Sequence, residues 1–265
     1  RLQEEDPTIK VYRNDETKQT IISGMGEMHL EIIQDKMKNK FSVDILLKDP
    51  QIPYRETIKK KATAEGKHKK QSGGRGQFGH VLVDFEPIGK TDIEYEFVDK
   101  VVGGAVPRNF IPAVDKGLQE CRKEGVLAGF PVVGLKATLH DGSYHSVDSD
   151  EMSFKMASSL AYKKGMKAAN PVLLEPIYKV EITVPDQYMG DVIGDINKKR
   201  GHVLGMEPAD NGQKIVAEAP LAEMFKYATE LRSLTQARGE FEMEFQRYEE
   251  VPANIAEKIV ENQVV

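Results

Sequence analysis

The residues best equipped for chemistry lie in one run, Lys67-His68-Lys69-Lys70-Gln71-Ser72-Gly73-Gly74-Arg75-Gly76-Gln77-Phe78-Gly79-His80. Its cations can neutralise phosphates and release the counterions condensed on a nucleic acid. Its glycines carry no Cβ, so the backbone can turn sharply and lie close against a partner. From Arg55 to Arg75 eight Lys or Arg face two acidic residues, a net +6, which leaves −11 on the rest of a chain whose total is −5. A protein that binds nucleic acid over its whole surface is basic throughout. A pI near 5.8 therefore fits a local contact. A charge run alone is usually a solvated face; its continuity with a glycine loop sets this one apart.

Other candidate chemistries are weaker. Gly74 to Gly79 matches G-x-G-x-x-G, and a nucleotide-binding enzyme using Gly74–Gly79 is the alternative from another functional class. That use needs a helix N-terminus after the glycines to hold a pyrophosphate, whereas an alternating strand pattern follows here. No G-x-x-x-x-G-K-[ST] occurs, so this chain lacks a Walker cradle; we assign it no catalytic residue and no cofactor. His29 stands between Glu27 and Glu31, and those spacings do not put three ligands on one helical face, so no metal site is assigned and His29 reads as a surface or packing residue. The single cysteine, Cys121, excludes an internal disulfide and fits a reducing compartment. His140 and His145 bracket Asp141-Gly142-Ser143-Tyr144, a loop in which a histidine could stack on or bond to RNA. Asp148 with Glu151 resembles a capping box. Lys198-Lys199-Arg200-Gly201-His202 sits at a helix end, where cations either complement the dipole or make a second phosphate contact.

These residues need elements to hold them. Length allows two or three domains, and no apolar run approaches the ~20 residues of a membrane span. Residues 1–6 read as the tail of something cut off. Strands are expected at Thr8–Tyr12 and Gln19–Ser23 around an Asn14-Asp15-Glu16 turn, then a helix at Glu27–Lys38 and a strand at Phe41–Leu47. Pro50 and Pro53 mark a boundary. Beyond it strands are expected at Ile58–Lys70, Phe78–Glu86, Tyr95–Val102 and Val132–Leu139, with helices from Pro107 to Lys123 and from about Glu151 to Ala169. Met152, Met156 and Leu160 recur at helical spacing and read as core. The last segment reads βαββαβ, the split-βαβ sandwich, with a hairpin at Asp210-Asn211-Gly212 and a closing helix from Pro252 to Val260.

Taken together, Ser23-Gly24-Met25-Gly26-Glu27-Met28-His29-Leu30-Glu31, Gln71 to His80, Val102-Gly103-Gly104, Gly142-Ser143-Tyr144-His145, Pro171 to Pro176, Tyr188 to Asp195, Arg200-Gly201-His202, Pro220 to Met224 and Leu231-Arg232-Ser233 are specific. Over essentially its whole length the chain resembles the C-terminal half of bacterial translation elongation factor G. The resemblance implies an α+β protein of three domains: a truncated ferredoxin-like domain III at 1–52, a ribosomal-protein-like αβ domain IV with a left-handed crossover at 53–174, and a ferredoxin-like domain V with a C-terminal helix at 175–265.

It also implies roles. The tip loops of domain IV, Lys69, Lys70, Gln71, Ser72, Gly73, Gly74, Arg75 and Gly76 in the first and Asp141, Gly142, Ser143, Tyr144 and His145 in the second, would meet messenger and transfer RNA at the small-subunit decoding centre. Domain V, with Lys198, Lys199, Arg200 and His202, would face the sarcin–ricin loop and stalk base of the large subunit. The Gly24-Met25-Gly26 turn would lie on an interdomain relay. GTP and Mg would belong to a GTPase domain outside this chain, and the whole would be a cytoplasmic monomer that promotes translocation, with no membrane partner. Phe78, Ser146, Asp150 and His202 depart from the residues usual in the family. The resemblance also takes in paralogues that act in ribosome recycling or ribosome protection.

Overall fold

A computed structural model describes residues 2–14, 17–71, 73–74 and 76–264. Asp15 and Glu16 of the expected first turn, and Ser72 and Arg75 of the first tip loop, lie outside the described residues. The chain forms two compact units, Arg1–Pro53 with Glu175–Arg247 and Tyr54–Leu174 with Tyr248–Val265.

The first unit opens with α1 (Leu2–Glu5), β1 (Lys10–Arg13), β2 (Thr20–Ser23) and α2 (Glu27–Phe41). β1 and β2 pair antiparallel from Lys10↔Ser23 to Arg13↔Thr20. α2 outruns the expected helix and stops at Ser42, whose left-handed backbone (φ 56) returns its N–H to the Lys38 carbonyl. The expected strand at Phe41–Leu47 does not form. Its alternation has no buried face to serve, since Val43 and Leu46 are both exposed, and Gln34 instead donates to the Ile45 carbonyl.

The second unit follows with β3 (Arg55–Ile58), β4 (Ala62–Lys70), β5 (Gln77–Pro87), β6 (Tyr95–Asp99), α3 (Ile111–Cys121), β7 (Leu135–Ser143) and α4 (Glu151–Ala168). The single strand expected from Ile58 to Lys70 is broken at Lys59–Lys61, and β3 leaves for another partner. The sheet runs β4-β5-β7-β6. Its β6 and β7 are parallel, as the crossover through α3 demands, and the other pairs are antiparallel. α3 begins at Ile111, with Pro112 in its first turn where a missing N–H costs nothing. β7 runs on through His140 to Ser143, so part of the expected second loop is strand.

α3 and α4 cover one face of this sheet. Val81, Val83, Phe85, Leu135, Ala137 and Leu139 meet Val114, Leu118, Phe154, Ala157 and Ala161 in the core. Phe110 stacks on Phe154 with centroids 4.9 Å apart. A Cβ at Gly66 would overlap the Ala157 carbonyl, and one at Gly79 the Ser153 carbonyl, so α4 seats its backbone directly on the strands. This close seat corrects the expected core stripe. The buried face of α4 is made of Ser153, Phe154, Ala157, Ser158, Ala161, Tyr162, Gly165 and Met166, while Met152, Met156 and Leu160 point away at 58%, 44% and 37% exposure.

The chain then returns through β8 (Pro171–Val184), α5 (Met189–Lys198), β9 (His202–Ala209), β10 (Gly212–Pro220), α6 (Tyr227–Thr235), β11 (Glu240–Glu250) and α7 (Ala253–Val264). The first four residues of β8 pair with β3 in the second unit; the rest pair with β10 in the first. The order β11-β8-β10-β9 is that of a ferredoxin-like βαββαβ sandwich. Val180, Ile182, Ile215 and Ala217 pack against Val192, Ile196, Tyr227 and Leu231. Among the described residues no helix is long and apolar enough to cross a membrane.

Candidate nucleic-acid interface

The two expected tip loops sit side by side at one end of the β4-β5-β7-β6 sheet. β4 and β5 pair continuously from Ala62↔Phe85 to Lys70↔Gln77, which carries Lys67, Lys69 and Lys70 out to the turn. There Gly73 and Gly74 adopt φ of 51° and 130° with open space where a Cβ would stand, a backbone that residues with side chains rarely take up. Gly76 serves differently: a Cβ there would come within 3.0 Å of the Asp148 carboxylate. The glycines of this loop thus split between turning the chain and admitting a neighbour.

That neighbour fastens the loops together. Asp148 accepts a hydrogen bond from the Gly76 N–H at 2.9 Å through Oδ1, and its carbonyl accepts from the Phe78 N–H at 2.8 Å. Ser149 Oγ donates to the Phe78 carbonyl at 2.8 Å and accepts from the His145 N–H at 2.9 Å. Asp148 is therefore a cross-link rather than the helix cap expected from its spacing. The cap of α4 is Asp150, whose Oδ1 accepts from the Ser153 N–H at 2.7 Å.

His145 Nδ1 accepts from the N–H groups of Val147 and Asp148 at 3.3 and 3.2 Å. The same Nδ1 lies 3.4 Å from Asp148 Oδ2; as an acceptor from two backbone N–H groups it leaves the ring hydrogen on Nε2, on a ring that is 55% exposed. Tyr144 is exposed beside it. Asp141, Gly142 and Ser143 belong to β7, opposite Leu82, Val81 and His80, and Ser143 Oγ lies 2.8 Å from His80 Nδ1.

Charge along the sheet is graded. At its far end Lys61 reaches Asp84 at 3.1 Å and Glu86 at 2.9 Å, and these contacts, Glu86 first, raise its pKa. Burial pushes the Asp84 carboxyl up, but hydrogen bonds from Thr63 and Lys61 outweigh it and hold it below the usual range. At the loop end Gln71 is exposed, and Lys67, Lys69 and Lys70 have no carboxylate partner among the described residues. No group of His, Cys, Asp and Glu able to hold a metal occurs among those residues.

The remaining candidates lie in the first unit. Met25, in the Gly24-Met25-Gly26 turn, donates its N–H to His29 Nδ1 at 3.1 Å and accepts at its carbonyl from Arg232 at 2.7 Å. His29 Nε2 reaches Asp6 at 2.8 Å, which makes His29 a buttress of this turn. In the Lys198–His202 cluster, Arg200 forms a two-pronged pair with the buried Glu175 at 2.6 and 2.9 Å and reaches Glu223 at 3.1 Å. The Glu175 bond, foremost among these, raises its pKa. Lys199 pairs with Glu230. Only Lys198 and His202 of the four are exposed. One anchor escaped sequence reading: Glu56, fully buried, accepts from the N–H groups of Leu127, Ala128 and Phe130 at 3.0, 2.9 and 3.2 Å. A glutamate in a strand pattern gives no signal of this.

These elements define a class: an α+β chain in which a ferredoxin-like sandwich accompanies a helix-backed sheet with a cationic, loop-bearing end. Family models match as elongation factor G domain III over residues 1–49, elongation factor G domain IV over 50–170 and the elongation factor G C-terminus over 172–259. A protein of Thermus thermophilus known from its crystal structure is 43% identical, with a TM-score of 0.88 over 99% of this chain. The present chain spans 39% of that protein's length. The chain belongs to the elongation factor G family.

Proposed function

We propose that this chain is the ribosome-contacting arm of a translational GTPase that moves messenger and transfer RNA during elongation. The three parts are read as domains III, IV and V at 1–52, 53–174 and 175–265. GTP and Mg act in a domain outside this chain, and the factor works as a monomer in the cytoplasm. The observation that carries the reading is the joining of two loops through Asp148 and Ser149 beside three lysines that have no acidic partner among the described residues. Cations position a protein on phosphates, and the exposed His145 donor suits a splayed base or a phosphate. Of the Lys198–His202 cluster, Lys198 and His202 are the exposed members left for the large subunit.

The test is single-turnover translocation with the intact factor carrying Arg75→Ala and His145→Ala. Loss of one or two charge-assisted contacts is expected to slow RNA movement about tenfold or more while GTP turnover persists. Unchanged translocation would remove the tip residues from the mechanism. An unsubstituted factor that splits ribosomes but does not translocate would be a recycling paralogue.

A further inference from the structure

The residues above account for the loops but not for the sheet face that leads up to them. α3 and α4 cover the face formed by Gly79, Val81, Val83 and Phe85; the opposite face presents Phe78, His80, Leu82 and Asp84 of β5. Beside these stand Thr63, Glu65, Lys67 and Lys69 of β4, since alternate residues of a strand share a face, with Lys61 just before the strand. Register puts Lys69 opposite Phe78 and Lys67 opposite His80. The Lys67 ammonium lies 5.9 Å from the centre of the Phe78 ring.

Resting on the proposed function, we infer that this open face is a platform for an unpaired stretch of RNA: a base stacks at Phe78 and successive phosphates rest on Lys69 and Lys67. Three observations favour RNA in single-stranded form. A partly exposed phenyl ring with the Lys67 ammonium beside it and Lys69 opposite it in register offers stacking that needs no base sequence and is closed to a paired base. Lys67 and Lys69, two residues apart on one strand, are separated by about 7 Å, which suits one nucleotide step of an extended strand. The cations also end abruptly. Glu65 lies 2.9 Å from His80 Nε2, and beyond it Asp84 and Glu86 already neutralise Lys61. Phosphates would be repelled past the His80 row, so the platform has a defined far edge.

The test is fluorescence anisotropy of the 265-residue chain with a labelled single-stranded oligouridine at low salt. Phe78→Leu, which keeps an apolar side chain in place, should weaken binding at least about fivefold with the melting temperature unchanged. Lys67→Ala with Lys69→Ala should weaken it and flatten the plot of log affinity against log salt by about 1.4, two single-strand phosphate contacts. Lys61→Ala should leave affinity alone. A light-induced cross-link from 5-iodouridine should map to Phe78 whatever the variants' stability. Unchanged affinity in a folded Phe78→Leu, or cross-links confined to Tyr144 and the loops, would overturn the platform. The translocation experiment with Arg75 and His145 would be untouched by that failure, so the two readings fall separately.

Discussion

Asp148 shows how much one side chain can do when it bridges segments 72 residues apart. Asp148→Ala leaves the Gly76 N–H without its acceptor and is expected to cost about 1 kcal/mol of stability. Its larger effect should be local: amide exchange at Gly76 should accelerate many-fold while the amides of β5 beyond Phe78 stay protected. Equal exchange in both variants would show that the carboxylate does not hold the loop. Residue types alone made the cationic run and the glycine turn legible in the sequence, because lysine and glycine carry their chemistry wherever they stand. Asp148, Ser149 and Glu56 were illegible for the opposite reason. An acidic or hydroxylated residue reveals its task only through partners that the fold supplies from far along the chain.

Among the elements, α4 teaches most. Its sequence carries two stripes, one of Met152, Met156 and Leu160 and one in which small residues alternate with Phe154, Tyr162 and Met166, and periodicity alone does not choose between them. The structure buries the second. Gly66 and Gly79 remove the strand side chains that would hold the helix off where Ala157 and Ser153 meet the sheet, and Phe154, Tyr162 and Met166 fill the space between these close contacts. Gly79→Ala would drive a methyl into the Ser153 carbonyl and should destabilise the protein by about 1–3 kcal/mol, read as a lowered urea midpoint. Gly89→Ala is the contrast, since its surroundings are empty and only its positive φ of 76° is at stake. The order of strands and helices in the third segment was readable because each apolar stripe there meets a partner stripe. The strand at Phe41–Leu47 was misread because alternation says nothing about whether a neighbouring strand exists.

At the scale of the molecule, charge is the organising quantity. The acidic remainder is not left loose: hydrogen bonds hold several carboxylates below their usual range, Glu5 through Lys40, Asp6 through Thr8, Glu120 through Lys155 and Glu218 through Arg247. Glu181, bonded first by Lys179 and then by Lys214, falls to about 2. A carboxylate depressed in the folded state adds stability above its unfolded pKa, and that stability is lost as pH falls through the folded value. The melting temperature should therefore decline from about pH 4.5 downward, and Glu181→Gln should flatten part of the decline between there and about pH 2. An identical pH profile in the variant would show that the two lysines contribute nothing to folding.

The seating of α4 on two bare strand positions has a consequence for how this protein can change over generations. Nothing larger than a hydrogen atom can occupy Gly66 or Gly79, yet Lys67 and Phe78, one step along, and Lys69 beyond them face the other side of the sheet without such restraint. Drift can recolour the outer surface of this sheet freely while the spacing between sheet and helix stays fixed, so descendants could change what that surface meets without repacking the core beneath it.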